Sequence, residues 1–274
     1  MYSLQEWLLL DDQQIAEFVG QKVSTVALFI NGTRRWFMSQ NTDWTNYTTV
    51  TGIAQRRVSQ LIYDHGVQTL IQPILGYDLV ARGHKYLELA IEQGLAELAT
   101  NEEYRTWYHR EQIRVSLYGN WSAALTEHGF GRVVNLLHKL VAETRSYSRH
   151  RLLLGVFADD GLDNIVSLAR TVNRGQELLS RYYGQSVEPV DLIISSGQPA
   201  IWDLPLLDIN KASLYFLQSP TFCLNKDSLR RILYDHIYER INDDELYDSL
   251  LNEKWRESEV LGIGQRTGKG WTAT

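Results

Sequence analysis

Short runs of large apolar and β-branched residues recur along the chain: VSTVALFI (23–30), VQTLIQPI (67–74), IRVSLYG (113–119), RLLLGVFA (151–158), VDLIIS (190–195) and ASLYFLQ (212–218). Each reads as a buried strand. Between them, apolar residues fall at helical spacing over about 47–65, 78–98, 130–145 and 161–183. Strand and helix alternate, which predicts an α/β fold with a mostly parallel six-stranded sheet flanked by helices. Beyond the last strand, KDSLRRILYDHIYERI and DDELYDSLLNEKWRE predict two carboxy-terminal helices. No linker or fixed-period repeat interrupts the pattern. Residues 1–274 are therefore expected to form a single domain, with the Gly-rich stretch at 257–274 a mobile tail.

Composition narrows the possible partners. The 27 basic and 33 acidic residues give a net charge of −6, which provides no overall attraction to nucleic acid or an anionic membrane, so an anion would be bound locally. The single cysteine, Cys223, excludes an intrachain disulfide and a Cys-based zinc site and suits a cytoplasmic protein. No integral membrane segment is expected, because no apolar run approaches spanning length. Eight Trp, fifteen Tyr and seven Phe would suit an aromatic-lined pocket.

The candidate chemistry lies in VALFINGTRRWF, residues 26–37. Ligands of open α/β sheets gather at the carboxyl ends of strands, where this run places its turn. Gly32 permits the turn, and Asn31 or Thr33 can cap the helix that follows. The helix's first N–H groups attract an anion. Arg34 and Arg35 add bidentate donors suited to phosphate oxygens, so the pattern suggests a diphosphate site. An ordinary surface pair of arginines in salt bridges would leave the same trace.

VALFINGTRRWF resembles the first signature of the cis-prenyltransferases, in which an Asp-Gly-Asn-Arg-Arg-Trp run binds the diphosphate of an allylic substrate. Thr33 and Phe37 are more similar to the tuberculosinol and kolavelool synthase branch of that fold, where the run reads Asp-Gly-Thr-Arg-Arg-Trp-Phe. The resemblance continues through YDHGVQTLIQPI, RHRLLLGVF, WDLPLLDINKASLYF and LRRILYDHIYER. It implies a prenyl diphosphate as the small-molecule substrate, with Gly32, Thr33, Arg34 and Arg35 holding its diphosphate. It also implies Mg2+ arriving through that diphosphate, a homodimer, and a separate class II diterpene cyclase upstream in the pathway.

Two departures from the signatures bear on the reaction. Elongating cis-prenyltransferases bind a second diphosphate through an Arg-Thr-Gly-Gly-Glu-x-Arg-x-Ser run, and the matching stretch here is SSGQPAIWD, residues 195–203, without either arginine or the glutamate. Asn31 stands where the family has an aspartate. One allylic diphosphate is then ionised and its cation captured by water, giving a diterpene alcohol. The resemblance favours kolavelool from kolavenyl diphosphate, with tuberculosinol or isotuberculosinol as the alternative. A non-catalytic partner subunit of a prenyltransferase is the reading from another class. Asn31 and Tyr47 are the candidate catalytic residues, Tyr47 because the branch carries a tyrosine about this far beyond its motif. Trp36, Phe37, Trp44, Tyr77 and Asp78 are candidate pocket residues, and plain core packing explains each aromatic equally well.

Other constellations have simpler explanations. DDGLD at 159–163 matches a magnesium motif of all-helical terpene synthases, but it follows a strand, and acidic residues opening a helix are explained by capping. Arg82 and His84 read as solvated surface, and the histidines show no metal-ligand spacing. Arg231 and Asp235, four apart, are placed to pair across one helical turn.

Overall fold

The computed structural model describes residues 2–40, 43–158 and 162–240, with the backbone of two short strands at 264–267 and 270–273. Helices α1 (Leu4–Leu9) and α2 (Asp12–Val19) lead into strand β1 (Thr25–Leu28), then α3 (Thr33–Gln40), a 3-10 turn at Trp44–Asn46, α4 (Tyr47–Asp64) and β2 (Thr69–Leu75). A 3-10 turn at Tyr77–Arg82, α5 (His84–Ala90), a π turn at Ile91–Leu95, α6 (Glu97–Thr100) and α7 (Glu102–Arg110) precede β3 (Ile113–Tyr118). Next come α8 (Trp121–Glu127), α9 (Gly131–Thr144), β4 (His150–Val156), α10 (Leu162–Ala169) and α11 (Gly175–Tyr182). Strands β5 (Leu192–Ser196) and β6 (Ser213–Leu217) follow, then α12 (Lys226–Tyr234) with a π turn at Asp235–Glu239. The two short strands, β7 (Gly264–Thr267) and β8 (Gly270–Ala273), pair antiparallel.

Every pairing in the six-stranded sheet is parallel, in the order β3-β4-β2-β1-β5-β6. The central strand β1 is buried at all four positions, as a strand covered on both faces must be. Helix α4 places Ala54, Val58 and Ile62 on one buried stripe, and α9 does the same with Val133, Leu137 and Leu140. The chain leaves β1 toward β2 on one side and returns as β5 on the other. The carboxyl end of β1 is therefore the switch point at which such sheets open a crevice.

All six strands lie close to their predicted ranges, and the helices depart more. The helix predicted over 78–98 is interrupted at Gly83, whose φ of +93° and ψ of 156° are readily adopted only by glycine. The helix predicted over 161–183 breaks between α10 and α11. There the Thr171 hydroxyl donates to the Leu168 carbonyl at 2.7 Å and Arg174 is extended. Arg231 pairs with Asp227 rather than Asp235, the acid-first order that suits a helix dipole. Asp235 instead accepts from Tyr215 and Arg240. The second predicted carboxy-terminal helix lies outside the described residues, as does the predicted tail apart from the β7 and β8 backbone.

The α1–α2 arm is fastened to α12 by a largely buried arginine. Arg230 donates to the carbonyls of Leu8 (3.0 Å) and Leu10 (2.7 Å) and to Asp12 (2.7 Å), while the Trp7 indole donates to the Arg230 carbonyl at 2.9 Å.

Burial holds His65, His150 and His236 below the ordinary imidazole pKa of 6.5, so the folded chain keeps them neutral. Their contribution to stability is fully present above pH 6.5 and is lost as the unfolded chain takes up protons that the folded chain resists. The denaturant midpoint is therefore expected to fall between about pH 7 and pH 5. A His150→Phe variant, whose ring can keep the stacking on Tyr63, should show a shallower fall. A midpoint independent of pH over that window would refute this account.

Candidate active site

At the end of β1 the backbone turns through Gly32, whose φ is +74°. A Cβ there would lie 3.1 Å from the Pro220 Cβ and 3.4 Å from Nη2 of Arg35, so the turn has little room for a side chain. The first bond of the new helix runs from Trp36 N–H to the Gly32 carbonyl at 2.9 Å. That geometry leaves the first-turn N–H groups of Thr33, Arg34 and Arg35 without intrahelical partners.

Neither candidate cap serves the helix. Asn31 donates through Nδ2 to the Ser195 hydroxyl (3.1 Å) and the Ser196 carbonyl (3.3 Å), tying the turn to the end of β5. Thr221 closes the network, accepting from Asn31 N–H at 3.4 Å through its hydroxyl and donating its own N–H to the Asn31 carbonyl at 3.2 Å. The Thr33 hydroxyl bonds instead to the Tyr47 hydroxyl at 2.8 Å. The Ser196 carbonyl can only accept, so an aspartate at position 31 would set acceptor against acceptor. Asn31→Asp should therefore lower thermal stability by about 1–3 kcal/mol and reduce activity. Melting and turnover at wild-type levels would show that the amide contributes nothing.

A cavity of about 890 Å³ opens beside this turn, at the carboxyl ends of β1 and β2. Its size lies within the roughly 300–1,000 Å³ usual for small-ligand pockets. Arg34, Arg35 and Arg82 stand among its walls with Trp44 and Tyr47, and Ile74, Leu75, Leu79, Leu95 and Leu98 supply apolar lining. The Arg34 and Arg35 side chains are exposed, and among the described residues neither pairs with a carboxylate. Arg35 reaches across the sheet end: Nη2 lies 3.7 Å from where a Cβ on Gly197, just past β5, would sit. Arg82 pairs with Asp78 and lies 5.4 Å from the centre of the Tyr86 ring. Three guanidinium groups beside free helix N–H groups can hold a polyanion.

The aromatic candidates separate. Trp44 and Tyr47 line the cavity, whereas Phe37 is fully buried behind them, with ring centres 5.2 Å from each. Trp36 packs edge-on against Phe222 at 5.1 Å rather than into the cavity wall. Asp78 lines the cavity, and the Tyr77 side chain lies outside the described residues. Burial pushes the Tyr47 phenol above its ordinary pKa, against a smaller lowering from its bond to Thr33. It is therefore a neutral hydroxyl at physiological pH, able to pass a proton on but not to act as a standing base.

The described residues at the mouth do not form a magnesium site. Asn31 offers an amide where a carboxylate is wanted, Asp78 is engaged by Arg82, and among the described residues no three His, Cys, Asp or Glu side chains gather.

Comparison with known proteins bears directly on this geometry. The chain is 34% identical over 250 residues to a tuberculosinyl adenosine transferase of Mycobacterium tuberculosis, covering 88% of this chain and 84% of that protein. The chain belongs to this cis-prenyltransferase-like branch. A (+)-kolavelool synthase of Herpetosiphon aurantiacus is 23% identical over 225 residues, covering 77% of this chain and 75% of the relative. Among solved structures, a probable undecaprenyl diphosphate synthase of Campylobacter jejuni superposes with a TM-score of 0.57 at 13% identity, covering 81% of this chain and 98% of that one. Lavandulyl diphosphate synthase of Lavandula x intermedia, in complex with dimethylallyl diphosphate, gives 0.53 at 14%, covering 78% and 94%. These two establish the shared fold. No family model matches the chain.

Within the cis-prenyltransferase-like frame, the two sequence departures meet in space. Asn31 replaces the signature aspartate, Ser195 opens the stretch that lacks the second set of arginines, and the two side chains are hydrogen-bonded. Farther along that stretch Trp202 packs on Phe29 with ring centres 4.6 Å apart, so aromatic packing occupies ground beside β1. The DDGLD run contributes Asp163 to the first turn of α10, and residues 159–161 lie outside the described residues. Arg82 is the cavity residue that the sequence reading set aside. The one available signal was its position just beyond β2, the strand beside β1. Among the described residues no helix is long and apolar enough to cross a membrane.

Proposed function

We propose that the chain cleaves the diphosphate from one bicyclic allylic C20 substrate and passes the resulting cation to a nucleophile. The observation that supports this most directly is one cationic cradle among the described residues, Arg34, Arg35 and Arg82, at a cavity with an apolar wall of Ile74, Leu75, Leu79, Leu95 and Leu98. In this reading the allylic C–O bond breaks with its electron pair leaving on the diphosphate, whose growing charge the guanidinium groups and helix N–H groups stabilise. Trp44 faces the cation, and the nucleophile's proton passes through Tyr47 to the departing diphosphate. Any magnesium is carried on the diphosphate as part of the substrate. A homodimer and a separate class II cyclase that supplies the bicyclic diphosphate belong to the same proposal. The cradle also argues against a silent partner subunit, which has no use for Arg34 and Arg35 standing at a pocket without carboxylate partners among the described residues.

The 34% relative shifts the favoured skeleton from kolavenyl toward tuberculosinyl diphosphate and raises a second acceptor beside water. Its name describes transfer of a tuberculosinyl group to adenosine. Water gives an alcohol, and adenosine gives a prenylated nucleoside. The test is incubation with tuberculosinyl, kolavenyl and geranylgeranyl diphosphates, each with and without adenosine, following diphosphate release and both product types by mass spectrometry. Diphosphate loss no faster than a protein-free control with all three substrates would refute the proposal.

A further inference from the structure

Tyr47 opens α4 with its ring packed against Phe37 and Trp44, whose ring centres lie 5.2 and 5.4 Å away. Among the described residues its hydroxyl has one hydrogen-bond partner, the Thr33 hydroxyl at 2.8 Å. The charged and titratable groups acting on it besides Thr33 are Tyr86, Arg34 and Arg82. A guanidinium has no lone pair with which to take a proton. Tyr86 lies against Arg82, the guanidinium 5.4 Å from its ring centre, and no hydrogen bond joins it to Tyr47 among the described residues. A proton leaving the Tyr47 oxygen therefore has Thr33 as its outlet.

Thr33 is the first residue of α3 and lines the cavity, in the turn whose N–H groups lack intrahelical partners. A hydroxyl carries one O–H donor and two acceptor lone pairs, so Thr33 can accept from Tyr47 and donate to an anion at once. An anion seated on this turn fixes the direction of the bond. It can only accept, so the Thr33 O–H points to the anion and Tyr47 must donate to Thr33. The lone pairs of the Tyr47 oxygen are then left to receive a proton from the cavity.

We infer that Thr33 is the link that carries the nucleophile's proton from Tyr47 to the departing diphosphate, an inference that rests on the diphosphate reading of the turn from Gly32 to Arg35. As a lone pair of the nucleophile bonds to the allylic cation, its proton passes to the Tyr47 oxygen. The Tyr47 proton passes to the Thr33 oxygen, and the Thr33 proton to an oxygen of the diphosphate. Each hydroxyl gains one proton and loses one, so no phenolate forms. Burial disfavours the charged form of this phenol, and the relay never populates it.

Steady-state kinetics on three variants test this, using whichever of tuberculosinyl, kolavenyl and geranylgeranyl diphosphate the wild-type chain consumes fastest and following the captured product. Thr33→Val keeps the shape without the hydroxyl and should lower kcat by about a hundredfold or more, the scale of a lost proton-transfer group. Thr33→Ser keeps the hydroxyl and should retain at least about a third of the rate. Thr33→Asn places there the residue of the elongating signature. Its amide can hold the Tyr47 hydroxyl, but it accepts at oxygen and donates at nitrogen, so it should fail as valine does. In a Tyr47→Phe background Thr33→Val should cost less than about threefold more, because both groups serve one path. An equal cost in both backgrounds leaves Thr33 only holding the diphosphate and overturns the relay. So does a wild-type rate in Thr33→Asn or in Thr33→Val. Should a melt show that Thr33→Val does not fold, Thr33→Asn and Thr33→Ser decide. A wild-type chain that releases diphosphate from none of the substrates overturns instead the reading on which the relay stands.

Discussion

Replacing Arg34 or Arg35 with alanine is expected to lower kcat/KM by about a hundredfold or more, the usual loss when one donor to a developing oxyanion is removed. The double variant should lose more than either single change but less than their product, because both groups serve one anion. Folding should be nearly untouched. Both side chains are exposed and lack carboxylate partners among the described residues, and surface changes of that kind usually stay within about 0.5 kcal/mol. Steady-state kinetics alongside a thermal melt separate the two effects. Activity near wild type in the double variant would remove these arginines from the chemistry.

Tyr47→Phe should cost about 10²–10⁴ in kcat, the range for a lost proton-transfer group, with the melt little changed because the ring keeps its contacts with Phe37 and Trp44. Burial holds the phenol above its ordinary pKa, so it remains protonated through neutral and mildly alkaline pH. The wild-type rate should accordingly show no limb from Tyr47 between about pH 7 and pH 9. Retention of more than a third of the wild-type kcat in Tyr47→Phe would place the proton's route elsewhere, with the diphosphate itself the remaining acceptor.

The sheet was legible in the sequence because its inner strands are buried on both faces, so that runs such as TVAL and LIISS carry little else, while the edge strand β6 was legible from its apolar content although Leu214 is exposed. The interiors of α4 and α9 were legible from the helical spacing of their apolar residues. Helix breaks were not, since a residue such as Gly83 acts through a backbone angle that apolar spacing does not record. The short helix α7 escaped notice although Asn101 caps it and Tyr104, Trp107 and Tyr108 are buried along it. At the site, the Gly-Thr-Arg-Arg run announced both its place and its charge. The partnership of Asn31 with Ser195, 164 residues away, could not be read from either stretch alone. Phe37 and Trp36 show the opposite limit. An aromatic residue next to a motif looks the same in sequence whether it faces the ligand or supports the wall behind it.

The Arg230 clasp has a consequence for how the chain is made. Its bonds to Leu8 and Leu10 span 222 and 220 residues, so α1 cannot be clasped until α12 has been synthesised. At a synthesis rate of about 5–20 residues per second that wait lasts on the order of ten seconds or more. Contacts of such separation also slow folding once the chain is free. Until α12 is made, Trp7 has Phe18 as its aromatic neighbour and lacks the Tyr234 and Tyr238 rings that cover it in the folded chain, which leaves an apolar side of α1 open to a chaperone during translation.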